Sequence, residues 1–358
     1  MKPQSTSVPE MPPEAAVPEE NRKAGIRATS YDVARQAGVS QSTVSRVFRD
    51  GASVAKATRR KVEAAAEALN YSPSLIARSL ITQRSNMIAV VITDPSNRAY
   101  PDILFYLGQS IQDTGNRMLV FALPREADAP SIVRDILAYH VDGIISSASL
   151  DTDFLTACNQ AKVPVVLFNR SPVNAMASAI CCDHAAGMET LVQHLNVAPM
   201  GHVSILSGPK SAPVSRERLE GAMRALAKIG VEPSPVLYGD YTFEGGRRAA
   251  AELLAGHDGP HTVVCVNDAM ALGVMDACRF DLGLSVPGEV SVTGFDDIPQ
   301  SSWPSHGLTT VRQPVRRMAQ TAVRMLTEQI DGVSGGGERR LLSPEIRIRA
   351  STRGDALA

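Results

Sequence analysis

The chain has 358 residues, 44% of them apolar, with 36 Lys+Arg against 37 Asp+Glu and a formal net charge of −1. That length predicts two or three domains with real cores, and the even charge excludes a uniformly basic nucleic-acid coat or an acidic disordered chain. No run reaches the ~18 uncharged apolar residues of a membrane span, 4% aromatics argue against a base-stacking single-strand binder, and five cysteines without a C-x-x-C pair argue for reduced thiols in the cytoplasm.

Residues 1–27 begin Met1-Lys2-Pro3, carry five prolines and balance four basic with four acidic side chains. They hold nothing to bury and no apolar stretch of a secretory signal, so a flexible arm is expected. Residues 28–82 hold eight basic and four acidic side chains, leaving 83–358 at −5. A compact basic unit therefore precedes a larger acidic body, a distribution that suits a small nucleic-acid module on a second domain, although chance also yields it.

Within the basic unit the spacing predicts a helix over Ser30–Ala37 with Val33, Ala34 and Ala37 on one face and Thr29 or Ser30 as its cap. Gly38 supplies the positive φ that ends it, and Ser40 offers an oxygen to the free N–H groups of a second helix, Gln41–Phe48. Two short helices across a tight glycine turn form a helix-turn-helix, and a third, Lys56–Leu69, closes a core with Val62, Ala65, Ala66 and Leu69. In such a unit the second helix enters the major groove by its N-terminal end. Gln41 and Ser42 stand there and Arg46 lies one turn on. Gln pairs with adenine edges and Arg with guanine edges, while Thr43, Ser45 and Asn70 suit phosphate. Arg35, Arg59 and Arg60 are read as a solvated face.

The run Tyr31-Asp32-Val33-Ala34-Arg35-Gln36-Ala37-Gly38-Val39-Ser40-Gln41-Ser42-Thr43-Val44-Ser45-Arg46-Val47 resembles the N-terminal signature of the LacI/GalR family of bacterial transcriptional regulators. The resemblance continues through Asn70-Tyr71-Ser72-Pro73 and Ala77-Arg78-Ser79-Leu80 and on to about Ser351. It implies an all-α DNA-binding domain over 28–73, with Tyr31 among the DNA contacts, a hinge helix over 74–82, and a two-lobed α/β sensor like the periplasmic sugar-binding proteins over 83–351. The lobes would comprise about 86–182 with 314–342, and 183–312 with 343–351, leaving a short tail at 352–358. Seven residues, Ser74–Leu80, are too few for a stable lone helix, and the resemblance has it order in the minor groove when two subunits meet on DNA. Leu80 then matches the leucine that wedges a base step, or else packs on the next domain, and Ala77 allows the two hinges to approach.

The body alternates strands and helices from Met87–Thr93 to Val290–Phe295, the order of parallel sheets covered by helices, and its length suggests two sheets. Ligands of such sheets sit beyond the carboxyl ends of strands. Asp94 and Asn97, Asn169 and Arg170, Asn267 and Asp268, Asp296 and Asp297, and Gln313 occupy such ends, while Arg216 opens a helix. Tyr100, Tyr241 and Trp303 offer flat faces to a sugar ring. The resemblance carries ligand contacts to Arg216, taken as the arginine ahead of Leu219-x-Gly221, to Asn267, and to Asp296, with Asn169, Tyr241 and Gln313 at further contact positions. Asp268 and Asp297 are read rather as helix caps.

Two departures stand out. Arg98-Ala99-Tyr100 replaces the family's Pro-Phe-Phe, and with Arg170 and Arg216 it suggests a sugar acid or sugar phosphate. Cys181-Cys182 is read as buried strand packing, with a redox sensor as the alternative. No phosphate loop, nucleophile elbow or H-E-x-x-H occurs, His257 and His261 flank a Gly-Pro loop, and no enzyme activity, catalytic residue, metal or cofactor is expected. The expected protein is a cytoplasmic homodimer, lacking a C-terminal tetramerising coil, that binds near-palindromic operator DNA under control of a carbohydrate-derived effector. A repressor is expected; an activator or an effector-independent regulator is the alternative.

Overall fold

The computed structural model describes residues 28–48, 52–72, 84–93, 100–123, 129–171, 174–195, 201–255 and 259–353. The expected arm at 1–27, the hinge with Ala77 and Leu80, Asn97 and residues 354–358 lie outside the described residues. The chain divides into two compact units, Met1–Gln83 and Arg84–Ala358.

The first unit is three helices, α1 (Ser30–Ala37), α2 (Gln41–Val47) and α3 (Lys56–Ala68). A capping box starts α1: Thr29 accepts from the Asp32 amide and the Asp32 carboxylate takes the Thr29 amide. Gly38, at φ 65°, ends it in the left-handed region and returns its own N–H to Ala34 and Arg35. Val33, Val44 and Val62 are fully buried where the helices meet. At about 1.5 kcal/mol or more for each buried valine, so small a core is thin, and the caps matter accordingly.

The second unit holds two parallel sheets. The first lobe runs β1 (Met87–Thr93), α4 (Tyr100–Asp113), β2 (Arg117–Leu123), α5 (Ala129–Ala138), β3 (Gly143–Ser146), α6 (Thr152–Gln160), β4 (Val165–Phe168) and β5 (Ser178–Cys182). The second runs α7 (His184–His194), β6 (His202–Ser207), α8 (Pro213–Lys228), β7 (Val236–Tyr238), α9 (Phe243–Leu253), β8 (His261–Cys265), α10 (Asp268–Asp276) and β9 (Val290–Thr293). After β10 (Thr310–Arg312) the chain adds α11 (Val315–Ile330), β11 (Arg339–Leu342) and β12 (Glu345–Arg347). The sheet orders are β11-β5-β4-β3-β1-β2 and β7-β6-β8-β9, all parallel, with β10 and β12 paired antiparallel. Strands such as β1, buried at six of seven positions, are uniformly apolar because helices cover both faces. The chain crosses between the lobes after Cys182, between Arg312 and Val315, and between Leu342 and Glu345.

Of the elements the sequence delimits, the second and third helices end one residue earlier than expected and the strand that begins at Val290 ends two residues earlier, at Thr293. Helix α10 is α-helical to Asp276 and then widens into a π turn, Ala277–Asp281. Beyond the strand expected at Val290–Phe295 the structure adds α11, whose buried Met318, Ala319, Ala322, Val323, Met325 and Leu326 carry a legible helical period. It packs on β3, β4, β5 and α4.

Helices α9 and α10 touch backbone to backbone. A Cβ on Gly246 would stand 2.1 Å from the Met270 carbonyl oxygen, and one on Gly273 2.0 Å from that of Phe243. Neither oxygen can yield without moving its helix. Gly273→Ala is therefore expected to destabilise the second unit by ~1–3 kcal/mol, the usual cost of overpacking, in urea denaturation.

Candidate functional site

In the helical unit, Ser40 caps α2 by accepting from the Thr43 amide at 3.2 Å, and its hydroxyl also meets those of Ser42 and Thr43 at 2.9 and 2.8 Å. This cluster pins the entry of α2 and leaves its first turn facing outward. Ser42 and Arg46 are exposed, Gln41, Thr43 and Ser45 half-buried, and Val44 and Val47 hold the inner face. Gln41 also reaches the Ser30 hydroxyl at 3.4 Å. Tyr31 and Asn70 are exposed, and Asn70 sits in the left-handed region at φ 48° just after α3. Arg59 is not part of a solvated face: it donates to the Val47 carbonyl at 2.8 Å, closing the C-terminal end of α2.

In the second unit, five polar side chains from five separate segments close a ring. Asn169 follows β4, His184 opens α7, Arg218 lies on α8, Asp296 follows β9 and Gln313 follows β10. Arg218 donates to the Asp296 carboxylate at 2.8 Å, to the Val266 carbonyl at 2.7 Å and to Nδ1 of His184 at 3.3 Å. Its guanidinium lies 3.9 Å from the Phe295 ring centroid. Gln313 donates to Asp296 at 2.7 Å and accepts from Asn169 at 2.8 Å. The Asn169 oxygen is 3.0 Å from Nε2 of His184 and takes the Cys182 amide at 3.2 Å.

Chemistry gives the ring one direction. Arginine only donates, so Nδ1 of His184 accepts and Nε2 carries the hydrogen. Burial, then the charges of Arg218 and Arg170, hold the His184 pKa well below its usual value, which keeps the ring neutral in accord with that tautomer. Asp296 is pushed up by burial against the opposing pull of Arg218 and Gln313. Asn169 at φ 58° and Asp296 at φ 125° stand in left-handed conformations that aim their side chains at the ring.

Arg216 does not join the ring. It is exposed, and Arg218 is the buried arginine of α8. Two residues turn a helix by about 200°, so one arginine faces inward and the other outward. The inward stripe Ser215, Arg218, Ala222 and Ala225 carries the signal in the sequence.

Asn267 is committed twice over, capping α10 through the Met270 amide at 3.1 Å and donating to the Tyr241 carbonyl at 3.0 Å. Tyr241, at φ 64°, lays its ring against Gly208, where a Cβ would meet it at 2.3 Å. Its buried hydroxyl lies toward Ser215 without a hydrogen bond of normal geometry. Tyr100 is no sugar platform. It is buried in the core of the first lobe, with its hydroxyl 3.3 Å from the Thr93 amide at the end of β1. Trp303 is half exposed and faces His306 at 6.2 Å. Ser147, which sequence reasoning missed, directly follows β3 and has a buried hydroxyl with no partner among the described residues. Its signal is only its place at a strand's carboxyl end.

Asp268 and Asp297 are not helix caps. Asp297 binds Arg312 and Arg349. Asp268, fully buried, takes the Ile298 amide and the hydroxyls of Ser301 and Thr310, tying the chain after β9 to α10. The five cysteines are buried, and burial raises the Cys181 thiol to about 11 and the Cys182 thiol to about 12, so neither supplies a reactive thiolate. Among the described residues no cluster of His, Cys, Asp and Glu could hold a metal ion, and no helix is long and apolar enough to cross a membrane.

Residues 29–74 match the family described as bacterial regulatory proteins, lacI family, and residues 192–352 match a periplasmic binding protein-like domain. The chain is 31% identical over 336 residues to the HTH-type transcriptional repressor PurR of Photobacterium profundum, covering 91% of this chain and 99% of that one. It is 35% identical to the HTH-type transcriptional regulator MalR of Streptomyces coelicolor over 90% of this chain and 95% of that one. The structure of the Lac repressor dimer bound to operator and the anti-inducer ONPF aligns with TM-score 0.83 and 31% identity, over 92% of this chain and all of that one.

Two outcomes follow from the ring and its surroundings. Arg218→Ala strands Asp296 as a buried charge and is expected to cost about 3–5 kcal/mol in urea denaturation, whereas Arg216→Ala stays within about 0.5 kcal/mol. Burial, then the charge of Asp296, raises Asp268 from 3.8 to about 7, so the folded state binds a proton there that the unfolded chain has released. That group's contribution falls as pH rises from about 4 to about 7, and Asp268→Asn is expected to flatten the slope of stability against pH in that window.

Proposed function

Because the chain belongs to the lacI family of bacterial regulatory proteins, we propose that it is a transcriptional repressor whose polar ring senses a carbohydrate-like effector between the two lobes and thereby sets its affinity for operator DNA. It works as a homodimer, in which twofold symmetry calls for a near-palindromic site. It acts in the cytoplasm, where the chromosome lies. The observation that carries the reading is the pairing, in one chain, of an outward-facing α2 with a cleft whose polar side chains come from both lobes.

At the DNA, Arg46 and Gln41 read base edges from the first turns of α2, and Ser42, Thr43, Ser45, Tyr31 and Asn70 hold phosphates. The hinge positions Ala77 and Leu80 belong to the minor-groove contact that the family likeness suggests. At the cleft, a ligand hydroxyl has two ready partners in the Ser147 and Tyr241 hydroxyls. Arg218 and Gln313 both bond Oδ1 of Asp296, which leaves Oδ2 to a ligand hydroxyl, while a ligand that bonds the Gln313 side chain competes with the ring's own bonds. A ligand that favours one arrangement of the ring over the other shifts it, which is the requirement for a switch. The complex of the transcriptional regulator CelR with cellobiose aligns with TM-score 0.68 and 27% identity and supports a carbohydrate ligand. Arg170 follows Asn169 just after β4 and its charge reaches His184 of the ring, so acidic sugars belong in the ligand set alongside neutral ones.

The test is selection of a symmetric duplex from a random pool by the full chain. Arg46→Ala is expected to weaken that duplex roughly 5–150-fold, the span of a lost base-edge contact of ~1–3 kcal/mol, with relaxed preference at one base pair of each half-site. Absence of any salt-sensitive preference for a symmetric duplex sinks the reading. A reporter gene behind the duplex should fall silent with the parent chain, and titration calorimetry with neutral sugars and sugar acids identifies the effector class.

A further inference from the structure

The effector reading leaves open how events at the ring reach the DNA-binding unit, and the two ends of α11 answer it. One end abuts the ring: Gln313, bonded to Asp296 and Asn169, is followed directly by Pro314 and the first turn of α11. The other end receives the chain that arrives from the DNA-binding unit. Arg84, the first residue of the sensor unit, donates to the Ile330 carbonyl at 3.0 Å and to the Asp331 carboxylate at 2.8 Å. Ser85 and Asn86 then donate their amides to the Asp142 carboxylate, each at 2.8 Å, before β1 begins. Sixteen residues at 1.5 Å rise make α11 a rod of about 24 Å. Its inner face is packed on three strands of the first sheet, which resist bending but permit a shift along the axis.

We propose that Arg84 and Asp331 form a positioning joint through which α11 passes the state of the effector ring to the DNA-binding unit. The inference rests on the effector and operator reading above. The joint is poorly suited to a purely stabilising role. Both side chains are nearly half exposed, at 42% and 47%, where an ion pair adds little to folding. Its value lies in place: it fixes the last point of the sensor before the chain departs. When a ligand takes Gln313's partners, the N-terminal end of α11 is released from Asp296 and Asn169, and the shift appears at Ile330 and Asp331, where Arg84 is held.

A mutant cycle tests the joint. Gln313→Met keeps the side-chain volume and removes its hydrogen bonds, and Asn169→Ala, which opens the same ring, is read in parallel. On the full chain without DNA, Gln313→Met is expected to raise amide hydrogen exchange at Ser85 and Asn86 at least ~3-fold, and to change it less than ~1.5-fold when Asp331→Asn is already present. Affinity for the selected symmetric duplex is expected to shift at least ~5-fold with Gln313→Met alone and less than ~2-fold in the Asp331→Asn background. Asp331→Asn alone should melt within about 1 °C of the parent. Unchanged exchange at Ser85 and Asn86 in both ring variants, or equal responses in both backgrounds, overturns the joint. Failure of the parent chain to select any duplex instead overturns the functional reading, and the exchange measurement still decides the joint.

Discussion

The buried pair of Arg218 and Asp296 sets the terms for the sensor unit. A guanidinium taken out of water needs its charge matched and its N–H groups satisfied, and a carboxylate alone does not suffice. The structure meets the demand from several directions, with Asp296, the Val266 carbonyl, the His184 ring and the face of Phe295. Each partner then has needs of its own, and these draw in Gln313 and Asn169. A single buried cation thus organises side chains that are 144 positions apart in the chain.

Because every bond in the ring has a fixed donor, the ring behaves as one object. Turning the Asn169 amide would set its nitrogen against the His184 hydrogen and the Cys182 amide, and turning the Gln313 amide would face an oxygen with the Asp296 carboxylate. Such networks have few satisfied arrangements. That is useful in a sensor, since a ligand offers a second arrangement instead of a graded perturbation. The same property explains the left-handed backbone at Asn169 and Asp296, where side-chain direction is worth local conformational cost.

The DNA-binding unit works on a different footing. Its core is three short helices, so its definition comes from end chemistry: the Thr29–Asp32 capping box, the Gly38 turn, the Ser40 cluster and Arg59 on the last carbonyl of α2. These are also what orient α2. A basic residue that reads as surface charge is part of this scaffold, and the distinction matters for which arginines address DNA.

The sequence by itself determined what short-range rules govern. The Thr29, Gly38 and Ser40 signals place the first two helices because capping acts over four residues. The apolar runs give the parallel strands, because both of their faces are buried. The strand-end rule gathers Asn169, Asp296 and Gln313 before any contact is known. Only the tertiary structure decided which side chains meet. It replaced Arg216 by Arg218, since a helix face is chosen by what packs against it; it buried Tyr100 under the first lobe, and it gave Asp268 to the chain after β9 rather than to its own helix. His184 and the Arg84–Asp331 pair carry no local mark, because their meaning comes from partners far along the chain that only folding brings within hydrogen-bond reach.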